Sequence, residues 1–219
     1  MFIAHRINCL DAHVAREIFP TCDGIEFDIR DSGGELIVEH DAFHYQNKQT
    51  FSDFLTFCRA DKFYIVNVKS EGIESHAIKM LEGVGIHHFM LLDCGLPAMH
   101  KMWQQGEHRF AVRFSEYEAI ETVQAVAKYV QWVWVDVFHS LILTKALETR
   151  IHEMGLRICL VSPELQGQPD KISAYIEALQ HDGIQIDAVC SKHWNNSMWL
   201  NSGVLSPYPS LTAHSHRHH

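Results

Sequence analysis

The sequence predicts a (β/α)8 barrel, a TIM barrel of the α/β class, folded as a single compact domain. Three observations lead there. Eight short runs of apolar, β-branched or aromatic residues recur along the chain, most followed by a stretch with helical spacing of its apolar residues. The runs are near-continuously hydrophobic rather than alternating, as are parallel strands covered by helices. The length of 219 residues, 47% of them hydrophobic, suits one core. A doubly wound open sheet is the structural rival, but no glycine-rich phosphate loop follows the first run.

The elements follow in order. FIAHRI (2–7) opens the chain, and GIEFDIR (24–30) continues through a Ser-Gly-Gly turn into ELIVEH (35–40). A helix over 50–59 leads to FYIVNVKS (63–70), and one over 73–83 leads to HHFMLLDCG (87–95). Helices over 96–105 and 116–127 precede FAVRFS (110–115) and VQWVWVDVF (130–138) respectively. Helices over 141–154 and 170–182 precede RICLVSP (157–163) and DAVCSKHW (187–194). The barrel domain is thus expected over 1–205. The remainder, 206–219, is a His-rich tail expected to be disordered.

Composition excludes several classes. A formal charge of -9 with no dense Lys/Arg tract argues against nucleic acid as a partner, because such binding neutralises many phosphates at once. A small anion needs only a few local cations. The six cysteines form no CxxC pair, so neither a zinc ribbon nor a dithiol redox motif is indicated, and reduced thiols are expected. No window reaches about 18 uninterrupted apolar residues, so no membrane span is expected. The first ten residues carry His5 and Arg6 within their apolar stretch and lack a cleavage pattern, so a cytoplasmic location is expected.

Functional residues of such barrels sit at the carboxyl ends of the strands. Polar residues at those ends are His5 and Arg6, Glu26 and Asp28, His40 and Asp41, Asn67 and Lys69, Asp93, Arg113, Asp136 and His139, Ser162 and Glu164, and Lys192 to Trp194. Glu26 and Asp28 are two residues apart in a strand, so both side chains point to one face. Two carboxylates there call for a cation, either a hard divalent ion or a basic side chain. Asn67 and Lys69 repeat the two-residue step, and Lys69 needs an anion if buried. His5 and His40 titrate near neutral pH and suit paired proton transfer, while Arg6 offers a planar fork for phosphate oxygens.

His5-Arg6, then Glu26-x-Asp28, then His40-Asp41 resembles the HR…ExD…HD signature of the glycerophosphodiester phosphodiesterase family, and the strand ending in Lys69 resembles that family's ExK segment. The motif covers residues 1–70. The resemblance implies a TIM-barrel phosphoric diester hydrolase in which Glu26 and Asp28 hold a divalent cation, Mg2+ or Ca2+. It further implies that His5 and His40 act as general acid and base, and that Arg6 and Lys69 hold the phosphate. The implied substrate is a small-molecule phosphodiester, or one derived from a lipid or polysaccharide.

Three departures qualify the resemblance. Ile7 replaces the glycine after the His-Arg pair, the third metal carboxylate falls on Asn67, and the capping insertion after His40-Asp41 is reduced to AFHYQNKQTF. An amide in that position removes one negative charge from the cation's ligands, and Asp93 or Glu71 is a candidate to replace it. Two further readings stay open: a barrel that binds a phosphorylated ligand without turnover, and a metal-independent sugar-binding or glycosidase barrel using Trp134, Asp136 and Glu164. Trp134 and Trp194, with Tyr45, Trp132 and His139, are candidates for a substrate wall, although strand aromatics also serve as core.

Overall fold

The computed structural model describes residues 1–209 and Leu211. Nine strands alternate with eight α-helices: Phe2–Ala4 (β1), Ala12–Ile18 (α1), Gly24–Ser32 (β2), Glu35–Val38 (β3), Phe51–Leu55 (α2), Phe63–Val68 (β4), Glu74–Gly83 (α3), Phe89–Leu92 (β5) and Leu96–Trp103 (α4). Ala111–Phe114 (β6), Ile120–Val126 (α5), Trp132–Val135 (β7), Lys145–Glu153 (α6), Arg157–Val161 (β8), Ile172–His181 (α7), Ala188–Ser191 (β9) and Asn196–Leu200 (α8) follow. The parallel strands run in the order β5-β4-β2-β1-β9-β8-β7-β6, with β3 added antiparallel to β2. A bridge between Leu91 and Phe110 and the bond from Leu91 N to Arg109 O (2.8 Å) join β5 to β6 and close the ring. The eight parallel strands thus make the expected (β/α)8 barrel.

Apolar runs become barrel strands because both faces are covered. Phe2, Ile3 and Ala4, and all of Phe89–Leu92, are buried. Each large aliphatic or aromatic side chain withdrawn from water contributes about 1.5–3 kcal/mol. Several helices start on side-chain caps: Asp11 accepts from Val14 N (2.8 Å), Thr50 from Asp53 N (3.1 Å) and Thr144 from Leu147 N (3.2 Å). Gly24 begins β2 because nothing larger fits, since a Cβ there would lie 2.0 Å from Phe63 O. Gly33 and Gly34, at φ 59° and 86°, make the tight turn that sends β3 back along β2.

Two details differ from the sequence-based expectation. Strand β1 ends at Ala4, so His5 and Arg6 lie in the turn beyond it, Arg6 with φ 50°. Helices α1 and α8 carry no strong apolar period: each buries one residue, Ile18 and Trp199 respectively. The AFHYQNKQTF segment contains no strand or helix before Phe51, so the reduced cap is a loop.

The end of the barrel opposite the functional loops is plugged by Trp132, whose ring lies 5.4 Å from Phe63 and stacks on Tyr208 at 6.2 Å. Arg157 donates to the Tyr208 hydroxyl (2.6 Å), and Ser206 N bonds Ile186 O (2.8 Å). Ordered packing therefore runs on through Tyr208, and Ser210 and residues 212–219 of the His-rich tail lie outside the described residues. Among the described residues no helix is long and apolar enough to cross a membrane.

Candidate active site

The register places the carboxylate and amide side chains together. Asp28 of β2 pairs directly with Asn67 of β4, and Glu26 with Ile65, one step deeper. Glu26, Asp28 and Asn67 are 2%, 0% and 9% exposed. Glu26 Oε2 accepts from Arg6 N (2.8 Å) and lies 3.7 Å from His5 Nε2. Asp28 Oδ2 accepts from the Asn8 amide (2.9 Å), whose oxygen in turn accepts from Asp28 N (3.0 Å). Asn8 therefore grips Asp28 at both backbone and side chain. It follows the His-Arg pair by two residues, and nothing in the spacing alone announces that clamp.

Asp28 Oδ1 and Asn67 Oδ1 are buried and accept no hydrogen bond. Lys69 Nζ approaches the first at 3.8 Å, beyond hydrogen-bond reach, and Asp93 Oδ2 at 3.7 Å. Two adjacent, unsatisfied hard oxygens with Glu26 beneath them fit a hard divalent cation such as Mg2+ or Ca2+, whereas sulfur or nitrogen donors are missing from the trio. Burial, and then the neighbouring Asp28, push the Glu26 carboxyl up to about 8. A bound cation would reverse that by favouring the carboxylate.

Neither candidate replacement for the missing charge joins this trio. Asp93 is held by Lys69 and by Arg113 Nη1 (3.2 Å), and Glu71 lines an adjacent cavity. Elsewhere among the described residues, Glu39, Asp41 and His44 bring possible ligand atoms within 4.8 Å of one another. This cluster is largely solvent-exposed, and Lys48 already pairs with Glu39 at 2.8 Å.

The two histidines differ. His5 is largely buried, and its Nδ1 lies 3.0 Å from Lys192 Nζ. An ammonium has no lone pair, so Nδ1 is the acceptor and the ring proton sits on Nε2, facing Glu26. Burial first, and then Lys192, Arg6, His40 and Lys69, drive the His5 pKa down to about 3, so the ring is neutral at physiological pH. His40 is half-exposed, with Nδ1 2.8 Å from Asp41 Oδ1. That bond holds the Asp41 carboxyl below its ordinary range and ties down the ring at Nδ1. Arg6 Nε lies 4.0 Å from Asp28 Oδ2, and the Arg6 side chain is 44% exposed.

On the far side of the barrel the polar groups are already committed. Arg113 bonds Asp136 (2.8 Å) and Glu118 (2.7 Å), and Asp136 also accepts from Gln166 (2.8 Å). Glu164 accepts short bonds from Ser162 and Ser191, and further bonds from Lys192 N (3.0 Å) and Asn195 (3.2 Å). Asp136 and Glu164 thus brace the loops on this side of the mouth. Trp134 pairs in register with Arg113 and is 6% exposed, with a buried Nε1 lacking any partner. Trp194 is 66% exposed just beyond β9, its ring packed on His193 at 5.1 Å. Trp132 belongs to the opposite end.

Fold and mouth together define a (β/α)8 barrel that gathers carboxylate, amide, imidazole and cationic groups at the carboxyl ends of β1, β2, β4 and β9. No known family profile matches the sequence, and no curated protein matches it. Solved structures do share the fold. A protein of Agrobacterium tumefaciens provisionally named a glycerophosphoryl diester phosphodiesterase superposes with a TM-score of 0.67 at 11% identity, over 91% of this chain and 96% of that one. The glycerophosphodiester phosphodiesterase of Thermotoga maritima gives 0.61 at 15% identity, over 91% and 96%. A protein of Galdieria sulphuraria provisionally given the same name gives 0.67 at 14% identity, over 91% and 97%. The barrel implied by the motif resemblance is therefore the barrel observed, along nearly its whole length.

Proposed function

We propose that the protein hydrolyses a phosphodiester of the glycerophosphodiester type, releasing an alcohol and a phosphomonoester. One observation carries this reading: two buried oxygens without donors, Asp28 Oδ1 and Asn67 Oδ1, lie below a mouth rimmed by Arg6, Lys69 and Lys192, with a neutral imidazole beside them. The fold shared with named glycerophosphodiester phosphodiesterases supports it. Glu26, Asp28 and Asn67 would hold the divalent cation, Mg2+ or Ca2+, whose charge is expected to neutralise the non-bridging phosphate oxygens.

The chain's own residues do the rest. Arg6 and Lys69 orient the phosphate and draw charge from it as the in-line transition state forms. His40, held by Asp41 at Nδ1, takes the proton from the nucleophile, either water or a neighbouring substrate hydroxyl. The new P–O bond forms as the leaving P–O bond breaks. His5 gives the proton that the departing alkoxide needs. It becomes competent on binding, because an anionic phosphate neutralises the cations, Lys192, Arg6 and Lys69, that otherwise help keep the ring unprotonated.

The decisive experiment is release of alcohol from a chromogenic phosphodiester, with and without EDTA. We expect EDTA to abolish turnover, and His5→Ala and His40→Ala each to lose at least about a hundredfold in rate. Near-normal turnover in either variant would remove that residue from the proton path. A barrel that binds a phosphorylated ligand without turnover has one observation in its favour, the approach of Lys69 to Asp28, which offsets that carboxylate without a metal. EDTA-insensitive phosphate binding with no alcohol release would establish it.

A further inference from the structure

Of the three cations that rim the mouth, Lys192 alone has no carboxylate partner among the described residues. Lys69 Nζ faces Asp28 at 3.8 Å and Asp93 at 3.7 Å, and Arg6 Nε faces Asp28 at 4.0 Å. Lys192, half-buried just beyond β9 and outside the motif of residues 1–70, meets the His5 ring instead, with Nζ 3.0 Å from Nδ1. A partly buried ammonium beside a neutral ring is costly unless an anion reaches it.

The sheet order β4-β2-β1-β9 sets Lys69 and Lys192 on opposite flanks of the two strands that lead to Glu26, Asp28, His5 and Arg6. An anion seated over those strands therefore has one lysine on each side. The backbone under Lys192 is also fixed. Glu164 accepts from Lys192 N (3.0 Å), from Asn195 Nδ2 (3.2 Å) and from the hydroxyls of Ser162 and Ser191, four donors on one carboxylate. Trp199 Nε1 donates to the same Ser162 hydroxyl (3.0 Å), and Ser162, Ser191 and Trp199 are fully buried. This bracket ties the end of β8 to the junction of β9 and α8, so Lys192 projects from a rigid support rather than from a free loop.

We propose that Lys192 is a third phosphate ligand, holding a non-bridging oxygen from the flank opposite Lys69, and that its bond to Nδ1 positions the His5 ring. An ammonium carries three N–H donors, so one bond to Nδ1 leaves two for oxygen. Because Nδ1 accepts from Lys192, the His5 proton is confined to Nε2, and loss of the lysine releases that constraint. The role rests on the phosphodiester reading of what the mouth binds.

The probe is inorganic phosphate, titrated calorimetrically into the full chain with Mg2+ present. Lys192→Met should weaken its binding by at least about tenfold, the scale of one charge-assisted hydrogen bond, and K192R should recover most of the loss. Lys171 is the control, another lysine of the carboxyl-end loops, with Nζ bonded to His139 O (3.1 Å). Lys171→Met should change phosphate affinity by less than about twofold, since a charge off the site is screened. Equal losses in K192M and K171M would reduce the effect to the general field of the mouth and overturn the ligand role. The positioning role has its own readout: NMR of the ring nitrogens should show His5 protonated at Nε2 in the wild type and divided between both tautomers in K192M. An unmoved tautomer would overturn that role. If K192M fails to fold, Lys192→Gln takes its place under the same criteria. Lys192-dependent phosphate binding in a protein that releases no alcohol would uphold the ligand and sink the hydrolase reading. Hydrolysis of a chromogenic diester with K192M equal to the wild type in rate and in phosphate affinity would do the reverse.

Discussion

Asn67 is where the residues depart most from the motif, and its surroundings say what the departure does. Its side-chain oxygen is buried, unsatisfied and paired in register with Asp28, so it has the position of a ligand but not the charge. Asn67→Asp should raise affinity for Mg2+ or Ca2+ by at least about tenfold, the effect of one added charge at short range. It should also lower stability in EDTA, because a third buried carboxylate would then stand beside Glu26 and Asp28. Calorimetric titration and thermal unfolding read the two effects separately, and unchanged metal affinity would end any ligand role for Asn67. A second prediction concerns His5: inorganic phosphate should raise its pKa from about 3 toward the ordinary imidazole range, followed through its ring proton shifts by NMR. A pKa that bound phosphate does not raise would remove His5 as the donor of the leaving group's proton. The two-residue steps Glu26-x-Asp28 and Asn67-x-Lys69 made these side chains legible in sequence, because strand faces alternate. The Lys192 contact to His5 was not, since it spans 187 residues and exists only because β9 pairs with β1.

At the scale of elements, legibility followed burial. Most strands were readable because they are almost wholly apolar, whereas α1, with Ile18 as its buried residue, and the five-residue α8 gave no amphipathic period to detect. Strand ends were the other weak point. The run FIAHRI reads as continuous, yet pairing of β1 stops at Ala4 because Arg6 turns to positive φ and directs its N–H at Glu26. Gly24 shows how an element sets the site. The glycine lets β2 approach the start of β4 closely, and from that contact the register runs up to Asp28 and Asn67. Gly24→Ala should destabilise the protein by at least about 1–3 kcal/mol, the usual range for overpacking, and should weaken metal binding by shifting β2 against β4. By contrast Thr144→Ala, which removes only the α6 cap, should cost about 1 kcal/mol and leave metal binding intact. Denaturant unfolding of the two variants checks the ordering, and equal losses would contradict the close approach at Gly24.

The whole molecule should report its polar mouth through the pH dependence of its stability. His5 is depressed from 6.5 to about 3 on folding, so the unfolded chain binds its proton more readily, and the stability this represents is lost as pH falls from 6.5 toward 3. Glu26 is raised from 4.5 to about 8, so the folded protein holds a proton that the unfolded chain gives up. That contribution is fully present below 4.5 and is lost as pH rises through 8. Between 4.5 and 6.5 the two slopes oppose and largely cancel, which leaves a plateau. Above 6.5 Glu26 acts without His5, and the metal-free protein should lose stability as pH rises toward about 8. Glu26→Gln should flatten this limb, and His5→Ala should flatten the acid limb below pH 4.5, both read from denaturant midpoints. Saturating Mg2+ should also flatten the alkaline limb, because a cation held by Glu26 replaces the proton and favours the carboxylate in the folded state. An alkaline limb identical in wild type and Glu26→Gln, with or without Mg2+, would show that the buried carboxylate is neither the proton store nor a cation ligand.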